Sequence, residues 1–336
     1  MILYDQRQPH SVFEFGIEIP VMDSRASETF ARLSSHPVLG PRVGFWHIDR
    51  IQEQITREDL LRVHSADYVG RLFSAQLQAE IIRTFELVDA DGHYHRYDPG
   101  KASLPLTALF DRILVRAAGT IQCCRTALER GFCFYFGGGM HHAQKDHGAG
   151  FCIVNDLVIA LRRLQAEGRI GTAWVIDVDA HKGDGTAAIT AEDDSICTLS
   201  IHMARGWPLD QPEYDAAGRF NPSFVPSTID IPIEAGEDHL YNEQLKDGLD
   251  GLSGYPRPDL VLIVCGADPY ELDELPSTAG LRLTLTQLLE RDQLVYSFLA
   301  AQGIPGAYVM AGGYGSNSWR VYTQFLEWVL LERLNL

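Results

Sequence analysis

Residues suited to binding a metal ion follow two apolar runs of the chain. Asp179 and His181 stand two positions apart at the end of the run Ala173–Val178, and Asp268 follows a second run. Residues i and i+2 of an extended chain point to one side, so Asp179 and His181 can bind one ion together. Three protein ligands leave a position open for water and substrate, which is typical of a catalytic metal. Such an oxygen-rich set favours zinc, while iron(II), cobalt and manganese also fit.

Groups able to move protons follow other apolar runs. His141 and His142 come directly after Gly137–Gly139, whose glycines let the backbone turn sharply and approach closely. If this loop faces the metal, one histidine can take a proton from water while the other stays cationic near the scissile bond. Tyr314 follows two glycines, and its hydroxyl can donate to the oxyanion of a tetrahedral intermediate. These groups predict metal-assisted hydrolysis.

Two further carboxylates lie close to the metal motif. Asp177 precedes Asp179 by two residues at the predicted strand end, and a carboxylate buried there needs a cation or a donor. It can orient a histidine or hold a monovalent cation. Asp184 lies beyond the next turn and can support another histidine in the same way.

The elements that must position these residues alternate between strands and helices. The predicted strands are Phe132–Phe136, Ala173–Val178, Ile196–Ile201, Leu260–Cys265 and Ala307–Met310. The predicted helices are Leu109–Leu128, Asn155–Gln165 and Leu285–Ala301, while Met1–Gly100 is less regular. This alternation predicts an α/β fold with a central parallel sheet and helices on both faces. Because ligands bind at the carboxyl ends of such strands, the chemical residues should converge there.

Composition excludes several classes of protein. The chain has 336 residues, 46% of them hydrophobic, which is ample for one large core. Its net charge of −17 argues against a nucleic-acid partner and suits a cationic substrate. No apolar run approaches the roughly 20 residues that span a bilayer, and no leader pattern opens the sequence. We therefore expect a cytoplasmic protein without a membrane partner, whose six cysteines form no disulfide framework.

Several motifs together carry a family resemblance. The segment 138–143 resembles G-G-x-H-H-A, 150–152 resembles G-F-C, and 177–185 resembles D-x-D-x-H-x-G-D-G. The segments 266–268 and 312–314 complete the set. In these motifs and their order, the chain is similar to the classical metal-dependent histone deacetylase family, which includes acetoin-utilisation proteins and acetylpolyamine amidohydrolases.

This resemblance implies a fold, an activity and a catalytic centre. The fold is a single arginase/deacetylase domain over residues 1–336, and the activity is removal of a short acyl group from the ε-amine of lysine. The implied ligands of Zn²⁺, or of Fe²⁺ or another divalent ion, are Asp179, His181 and Asp268. The implied catalytic groups are His142 as base with Asp184 behind it, His141 with Asp177 behind it, and Tyr314 as oxyanion donor. An implied K⁺ site uses Asp177, Asp179, His181, Ser200 and Ile201.

The resemblance also implies how an acylated lysine peptide or polyamine enters. The implied substrate-binding residues are Gly150, Phe151 and Trp207 along a tunnel, and Asp98, Glu274 and Leu275 at its rim. Arg25 is implied near an exit for acetate. Lys182 and Met140 depart from the family pattern, where a second histidine and an aromatic or leucine are usual. Both changes touch the pocket, so they concern the identity of the substrate rather than the chemistry.

Three other functions compete with lysine deacylation. An acetylpolyamine amidohydrolase would use the same centre with an acid at the rim. A binuclear ureohydrolase needs further carboxylates for a second metal, and the sequence offers one Asp-x-His and one additional Asp. An inactive acyl-lysine reader is disfavoured because Tyr314 and all three ligands are present. The oligomeric state stays open.

Overall fold

The computed structural model describes residues 1–334, which are built around one sheet. The strands lie in the order β2-β1-β3-β8-β7-β4-β5-β6, and every neighbouring pair is parallel. They are β1 (Ile2–Leu3), β2 (His47–Ile48), β3 (Phe132–Tyr135), β4 (Ala173–Asp177), β5 (Ile196–Met203), β6 (Ile229–Ile233), β7 (Leu260–Cys265) and β8 (Gly306–Met310). The predicted parallel α/β architecture is confirmed.

Helices cover both faces of this sheet. They are α1 (Ser24–Ser35), α2 (Val43–Trp46), α3 (Arg57–Leu61), α4 (Ala66–Leu72), α5 (Leu77–Thr84), α6 (Ala108–Arg130), α7 (Asp156–Ala166), α8 (Asp184–Thr190), α9 (Tyr241–Leu252), α10 (Leu285–Gln302) and α11 (Trp319–Arg333). Alternate residues of the strands point to opposite faces. Trp174 and Ile176 therefore pack with α1, α9, α10 and α11, whereas Ala173 and Val175 pack with α6 and α7.

The three predicted helices form, and each has a recognisable signal at one end. Asn155 accepts a hydrogen bond from the backbone N–H of Val158 and so caps α7. Thr284 begins α10 in a reciprocal capping box with Gln287. The helix α6 ends at Gly131, which adopts a left-handed φ of 78°. The local sequence was therefore sufficient to predict these three helices and their approximate bounds.

Three strands of the structure were not predicted. β1 and β2 have two residues each, too few to show a period. β6 contains Pro232, which cannot donate to a neighbour, and the strand is tolerated because it lies at the edge of the sheet. The segment before Gly100 holds several short helices rather than a long one. All six cysteines are buried and free, and no helix within residues 1–334 is long and apolar enough to cross a bilayer.

Candidate active site

The order of the strands brings the predicted ligands together. β7 lies between β4 and β8, so the segments that follow these three strands meet at one edge of the sheet. Asp179, His181 and Asp268 are all buried, and each offers a ligand atom within 4.8 Å of the other two. They are separated by up to 89 positions in sequence, so only the folded sheet can assemble them.

The buried ligands fit a divalent cation. Asp268 Oδ2 is buried without a hydrogen-bond partner among residues 1–334, although His181 Nδ1 lies 3.2 Å away. Burial and the charge of Asp179 raise the pKa of Asp268 to about 6. Burial opposes a charge on His181, but the two carboxylates outweigh it and raise the pKa of His181 to about 10. The cluster therefore requires a positive charge, which a metal ion supplies better than a proton.

Another group with ligand spacing lies on the surface. Asp89, Asp91 and His93 also offer atoms within 4.8 Å of one another, but all three residues are exposed. Water stabilises their charges, so this surface group requires no cation. Within residues 1–334, these two groups are the places where three such side chains meet.

Backbone groups fix the two ligand carboxylates. Gly312 N donates to Asp179 Oδ2 at 2.8 Å, and Ala180 N donates to Asp268 Oδ1 at 3.0 Å. A side chain on Gly312 would place its Cβ 2.5 Å from the carboxylate of Asp179. The glycine is required because the backbone approaches the ligands this closely.

A buried arginine supports the two segments that carry the ligands. Arg291 of α10 donates through Nη1 to the carbonyls of Val178, at 3.0 Å, and Gly266, at 2.8 Å. Its charge pairs with Asp292, whose Oδ1 lies 2.9 Å from Nε of Arg291. This role of Arg291 was not predicted from the sequence, because an arginine in a predicted helix carries no sign of its partners.

The two adjacent histidines are held by different carboxylates. His141 Nδ1 lies 2.6 Å from Asp177 Oδ2, and His142 Nδ1 lies 2.7 Å from Asp184 Oδ1. Burial opposes the charge on His141, but Asp177 and Asp179 outweigh it and raise its pKa to about 9. Burial and the positive charge of His141 lower the pKa of His142 to about 4, although Asp184 acts in the opposite direction. At neutral pH the pair therefore combines one cation with one neutral base.

The loop that carries these histidines is anchored by a carboxylate that was not predicted. Asp156, the first residue of α7, accepts hydrogen bonds from the backbone N–H groups of Gly139, at 3.1 Å, and Met140, at 2.7 Å. Thr120 of α6 donates to the same carboxylate. The position of Asp156 at a helix start was visible in the sequence, but its contact with the glycine loop was not.

Tyr314 is placed by a second carboxylate that the sequence analysis passed over. Asp273 Oδ2 accepts a hydrogen bond of 2.7 Å from the backbone N–H of Tyr314, and Oδ1 accepts one of 2.9 Å from Leu275 N. Burial raises the pKa of the Tyr314 hydroxyl well above its ordinary value. The hydroxyl therefore stays protonated at neutral pH and is available as a hydrogen-bond donor.

Aromatic rings line the way to this centre. The ring of Trp207 lies edge-on to His142 with 4.4 Å between centroids, and the ring of Phe151 lies 6.4 Å from that of Tyr314. Phe151 adopts a φ of 65°, which is uncommon for a residue with a side chain. Its neighbour Gly150 leaves space for the rings, since a Cβ there would lie 2.6 Å from the His142 imidazole.

The mouth differs in part from the prediction. An outer cavity of about 240 Å³ is lined by Glu86, Arg96, His142, Gly150, Phe151, His181, Trp207, Asp210, Leu275, Ser277 and Tyr314. Leu275, one of the three predicted rim residues, lines this cavity, whereas Asp98 and Glu274 are not among its lining residues in the described chain. Asp98 instead accepts from Gly100 N at 2.9 Å, and Glu274 accepts from Ser316 N at 2.8 Å.

An inner cavity of about 110 Å³ extends from the catalytic residues toward the N-terminal segment. His141, His142 and Tyr314 line one part of it, and His10, Arg25 and Arg116 line another. Arg25 was expected near this end of the site, whereas His10 and Arg116 were not selected. Met140, one of the departures in the motif, also lines this cavity.

The expected monovalent site shares Asp179 and His181 with the metal cluster and adds residues at the ends of β4 and β5. Asp177 of β4 is the register partner of Ser200 of β5, and Ile201 follows in the same strand. Asp177 Oδ1 accepts a hydrogen bond of 3.1 Å from Asp179 N. Ser200 Oγ accepts one of 3.3 Å from Gly183 N. The structure therefore gathers these residues at the ends of two neighbouring strands.

Comparison with known proteins gives a consistent result. A family model described as the histone deacetylase domain matches residues 20–328. An uncharacterised protein of Picosynechococcus is 35% identical over 219 residues, which cover 65% of this chain and 68% of that protein. Histone deacetylase 2 of Arabidopsis thaliana is 27% identical over 278 residues, 82% of this chain and 65% of its own length. The acetoin utilization protein AcuC of Staphylococcus aureus is 28% identical over 311 residues, 90% of this chain and 72% of its own.

Proposed function

Because this chain belongs to the histone deacetylase family, we propose that it hydrolyses the amide bond between a short acyl group and the ε-amine of lysine in a protein or peptide. One observation carries the proposal. The buried cluster of Asp179, His181 and Asp268 contains a carboxylate oxygen without a hydrogen-bond partner within residues 1–334, and Asp179 and His181 line one cavity together with His141, His142 and Tyr314. We further propose that residues 1–336 act as one catalytic domain.

Asp179, His181 and Asp268 are the proposed ligands of the divalent metal, with Zn²⁺ as the first choice and Fe²⁺ as the alternative. In that position a divalent ion supplies Lewis acidity toward the acyl carbonyl and toward water. The proposed K⁺ site consists of Asp177, Asp179, His181, Ser200 and Ile201. The pairing of Asp177 with Ser200 on neighbouring strands supports it.

His142 is the proposed general base. Its Nδ1–H donates to Asp184, which leaves Nε2 free to accept a proton from the attacking water. Asp184 is itself held by Gln144 Nε2 at 3.0 Å and by Ser223 Oγ at 2.6 Å, so the imidazole is oriented by a fixed acceptor. The low pKa of His142 agrees with a base that is neutral before the reaction.

His141 and Tyr314 are proposed to stabilise the charge that develops on the acyl oxygen. His141 stays cationic against Asp177, and the hydroxyl of Tyr314 donates to the oxyanion. The proton taken by His142 then goes to the departing amine. Phe151 and Trp207 are proposed to enclose the methylene chain of the lysine, with Gly150 providing the space between the rings.

An acylated polyamine is the second candidate substrate, and a specific observation favours it. The outer cavity is lined by the acids Glu86 and Asp210; Glu86 pairs with Arg96 at 3.6 Å, and Asp210 suits a distant ammonium group. Leu275 at the same mouth is apolar and favours a peptide backbone with a lysine side chain. Asp98 and Glu274 remain proposed contacts for a larger substrate, because both lie on loops of the predicted rim.

The test is a comparison of substrates on metal-loaded protein. We expect a higher kcat/KM for an acetyl-lysine peptide than for acetylputrescine or acetylspermidine. A tenfold preference for a polyamine, about 1.4 kcal/mol of discrimination, would replace the lysine substrate with the polyamine. Absence of hydrolysis in both classes, with metal bound, would refute the deacylase assignment. Tyr314→Phe provides the control, because it should keep the metal and lose most of the turnover.

A further inference from the structure

Three basic side chains, those of His10, Arg25 and Arg116, line the inner cavity but not the outer one. They line it together with the catalytic residues, so the basic groups and the acyl site share one cavity. The remaining wall includes Gly137–Gly139, which contribute no side chains, and the flexible Met140. An acyl group held at the catalytic centre would extend its tail into this space.

Arg116 is the basic group with unused donors. It lies in α6, and its Nη2 donates to the carbonyls of Pro9, at 2.8 Å, and His10, at 3.0 Å. Among residues 1–334, neither Nε nor Nη1 has a hydrogen-bond partner, and no carboxylate lies within ion-pair distance of the guanidinium. Burial lowers the pKa of Arg116 to about 10, so the group is cationic at neutral pH.

Arg25 adds a second positive charge, and no carboxylate among residues 1–334 lies within ion-pair distance of it. Its guanidinium donates to the carbonyls of Ala311 and Gly313 and, at 2.9 Å, to the hydroxyl of Tyr322. Its Nε is buried without a partner in the described chain. The carboxylate of Asp23, on the same segment, is occupied by the backbone N–H groups of His10 and Ser11.

We propose that the inner cavity binds the terminal carboxylate of a dicarboxylic acyl group, such as succinyl or glutaryl, and that Arg116 selects this group. The inference rests on the proposed deacylase function and names its substrate class. An acetyl group would leave the guanidinium of Arg116 without an anion, whereas a carboxylate can accept two parallel hydrogen bonds from it. Bidentate pairs of this kind are stronger than hydrogen bonds between neutral groups.

The size of the cavity agrees with a longer acyl group. Its volume is about 110 Å³, and a water-sized group occupies roughly 10–15 Å³ on the same measure. The space therefore holds several more atoms than the single methyl group of acetyl. In the reaction, the water oxygen bonds to the acyl carbon and the C–N bond breaks. The lysine amine leaves with a proton, and a dicarboxylate is released.

The experiment compares one peptide carrying acetyl-, butyryl-, succinyl- or glutaryl-lysine. Butyryl is the matched control, because it has the length of succinyl without the charge. We expect succinyl or glutaryl to exceed butyryl in kcat/KM by roughly 10- to 150-fold, as expected for hydrogen bonds to a charged group. Equal kcat/KM values of the native enzyme for butyryl-lysine and succinyl-lysine would overturn the inference.

Variants of α6 assign the preference to one side chain. Arg116→Met should lower the ratio of kcat/KM for succinyl-lysine to that for butyryl-lysine to about one, and Arg116→Lys should retain part of the preference. Arg112→Met is the matched control on the same helix, since Arg112 pairs with Glu14 and does not line the cavity. An Arg116→Met variant that slows both substrates equally would contradict a selective role.

A binding measurement separates this inference from the proposed function. Calorimetric titration with N-methylsuccinamate and with N-methylbutyramide needs no turnover and compares two amides that differ in the terminal carboxylate. Tighter binding of N-methylsuccinamate in the native protein, lost in Arg116→Met, supports the carboxylate site even if no acyl-lysine is hydrolysed and the deacylase assignment fails. Equal affinities for the two amides would overturn the carboxylate site while leaving deacylation of simple acyl groups intact.

Discussion

Removal of the divalent metal should lower the midpoint temperature of unfolding by about 6 °C. A ligand present at 1,000 times its dissociation constant stabilises the folded state by about 4.1 kcal/mol, provided that the unfolded chain does not bind it. An unfolding entropy of about 2.1 cal/mol/K per residue gives roughly 0.7 kcal/mol/K for the 336 residues of the chain. Dividing about 4.1 kcal/mol by about 0.7 kcal/mol/K gives the expected shift of about 6 °C.

The unfolded chain should not bind the metal, because the three ligands come together only in the folded protein. Asp179 and His181 are near each other in sequence, but Asp268 comes from another strand of the sheet. Folding is therefore required to form the complete set. Without the metal, the site retains a buried carboxylate oxygen that lacks a hydrogen-bond partner within residues 1–334.

Scanning calorimetry of chelator-treated and metal-loaded protein measures this shift. In Asp179→Ala and Asp268→Asn the difference between the two preparations should fall below about 1 °C, because each change removes a ligand charge. His93→Ala is the matched control, since it removes one member of the surface group formed by Asp89, Asp91 and His93. That variant should keep the full shift.

Two results would refute the reasoning. A metal-dependent shift that persists in Asp268→Asn would mean that the ion binds elsewhere. A shift that disappears in His93→Ala would assign the stabilising ion to the surface loop. In either case the unpartnered oxygen of Asp268 would need another explanation.

Three further variants test the surroundings of the centre. Asp184→Asn removes the acceptor that orients His142, and steady-state turnover should fall roughly 10- to 100-fold with no loss of metal. Gly150→Ala places a Cβ 2.6 Å from the His142 ring at a φ of 51°, so activity should be lost while circular dichroism shows a folded protein; unchanged turnover would contradict the close packing at the tunnel. Arg291→Met leaves Asp292 as an unpaired buried charge and should lower the free energy of unfolding in urea by about 3–5 kcal/mol; a change below 1 kcal/mol would show that the arginine does not support the ligand segments.

The position of the site could be predicted from sequence because strand ends are local signals. The apolar runs before Asp179, Asp268 and Tyr314 indicated three parallel strands, and a single rule about their carboxyl ends placed all three residues at one edge. The order of the strands was not available in the same way. That β7 lies between β4 and β8 follows from packing across the whole sheet, and no local pattern encodes it.

Residues that support the centre through single contacts escaped the sequence analysis. Asp156 anchors the glycine loop, Asp273 holds the backbone of Tyr314, and Arg291 joins the two ligand segments. Each is a charged residue whose neighbours in sequence show no sign of its partners, and a charged residue is most often at the surface. Their burial arises only when distant segments pack against them.

The residues that line the two cavities were the least predictable part of the site. Neighbouring residues of an irregular loop have no fixed period, which is how Leu275 lines the outer cavity while Glu274 turns to Ser316. Arg116 lies within the predicted helix Leu109–Leu128, where the sequence shows only a charged residue. The structure places its half-buried side chain against the inner cavity, and within residues 1–334 only its Nη2 has hydrogen-bond partners, the carbonyls of Pro9 and His10. This contact arises only when the N-terminal segment packs against α6, so no local pattern predicts it.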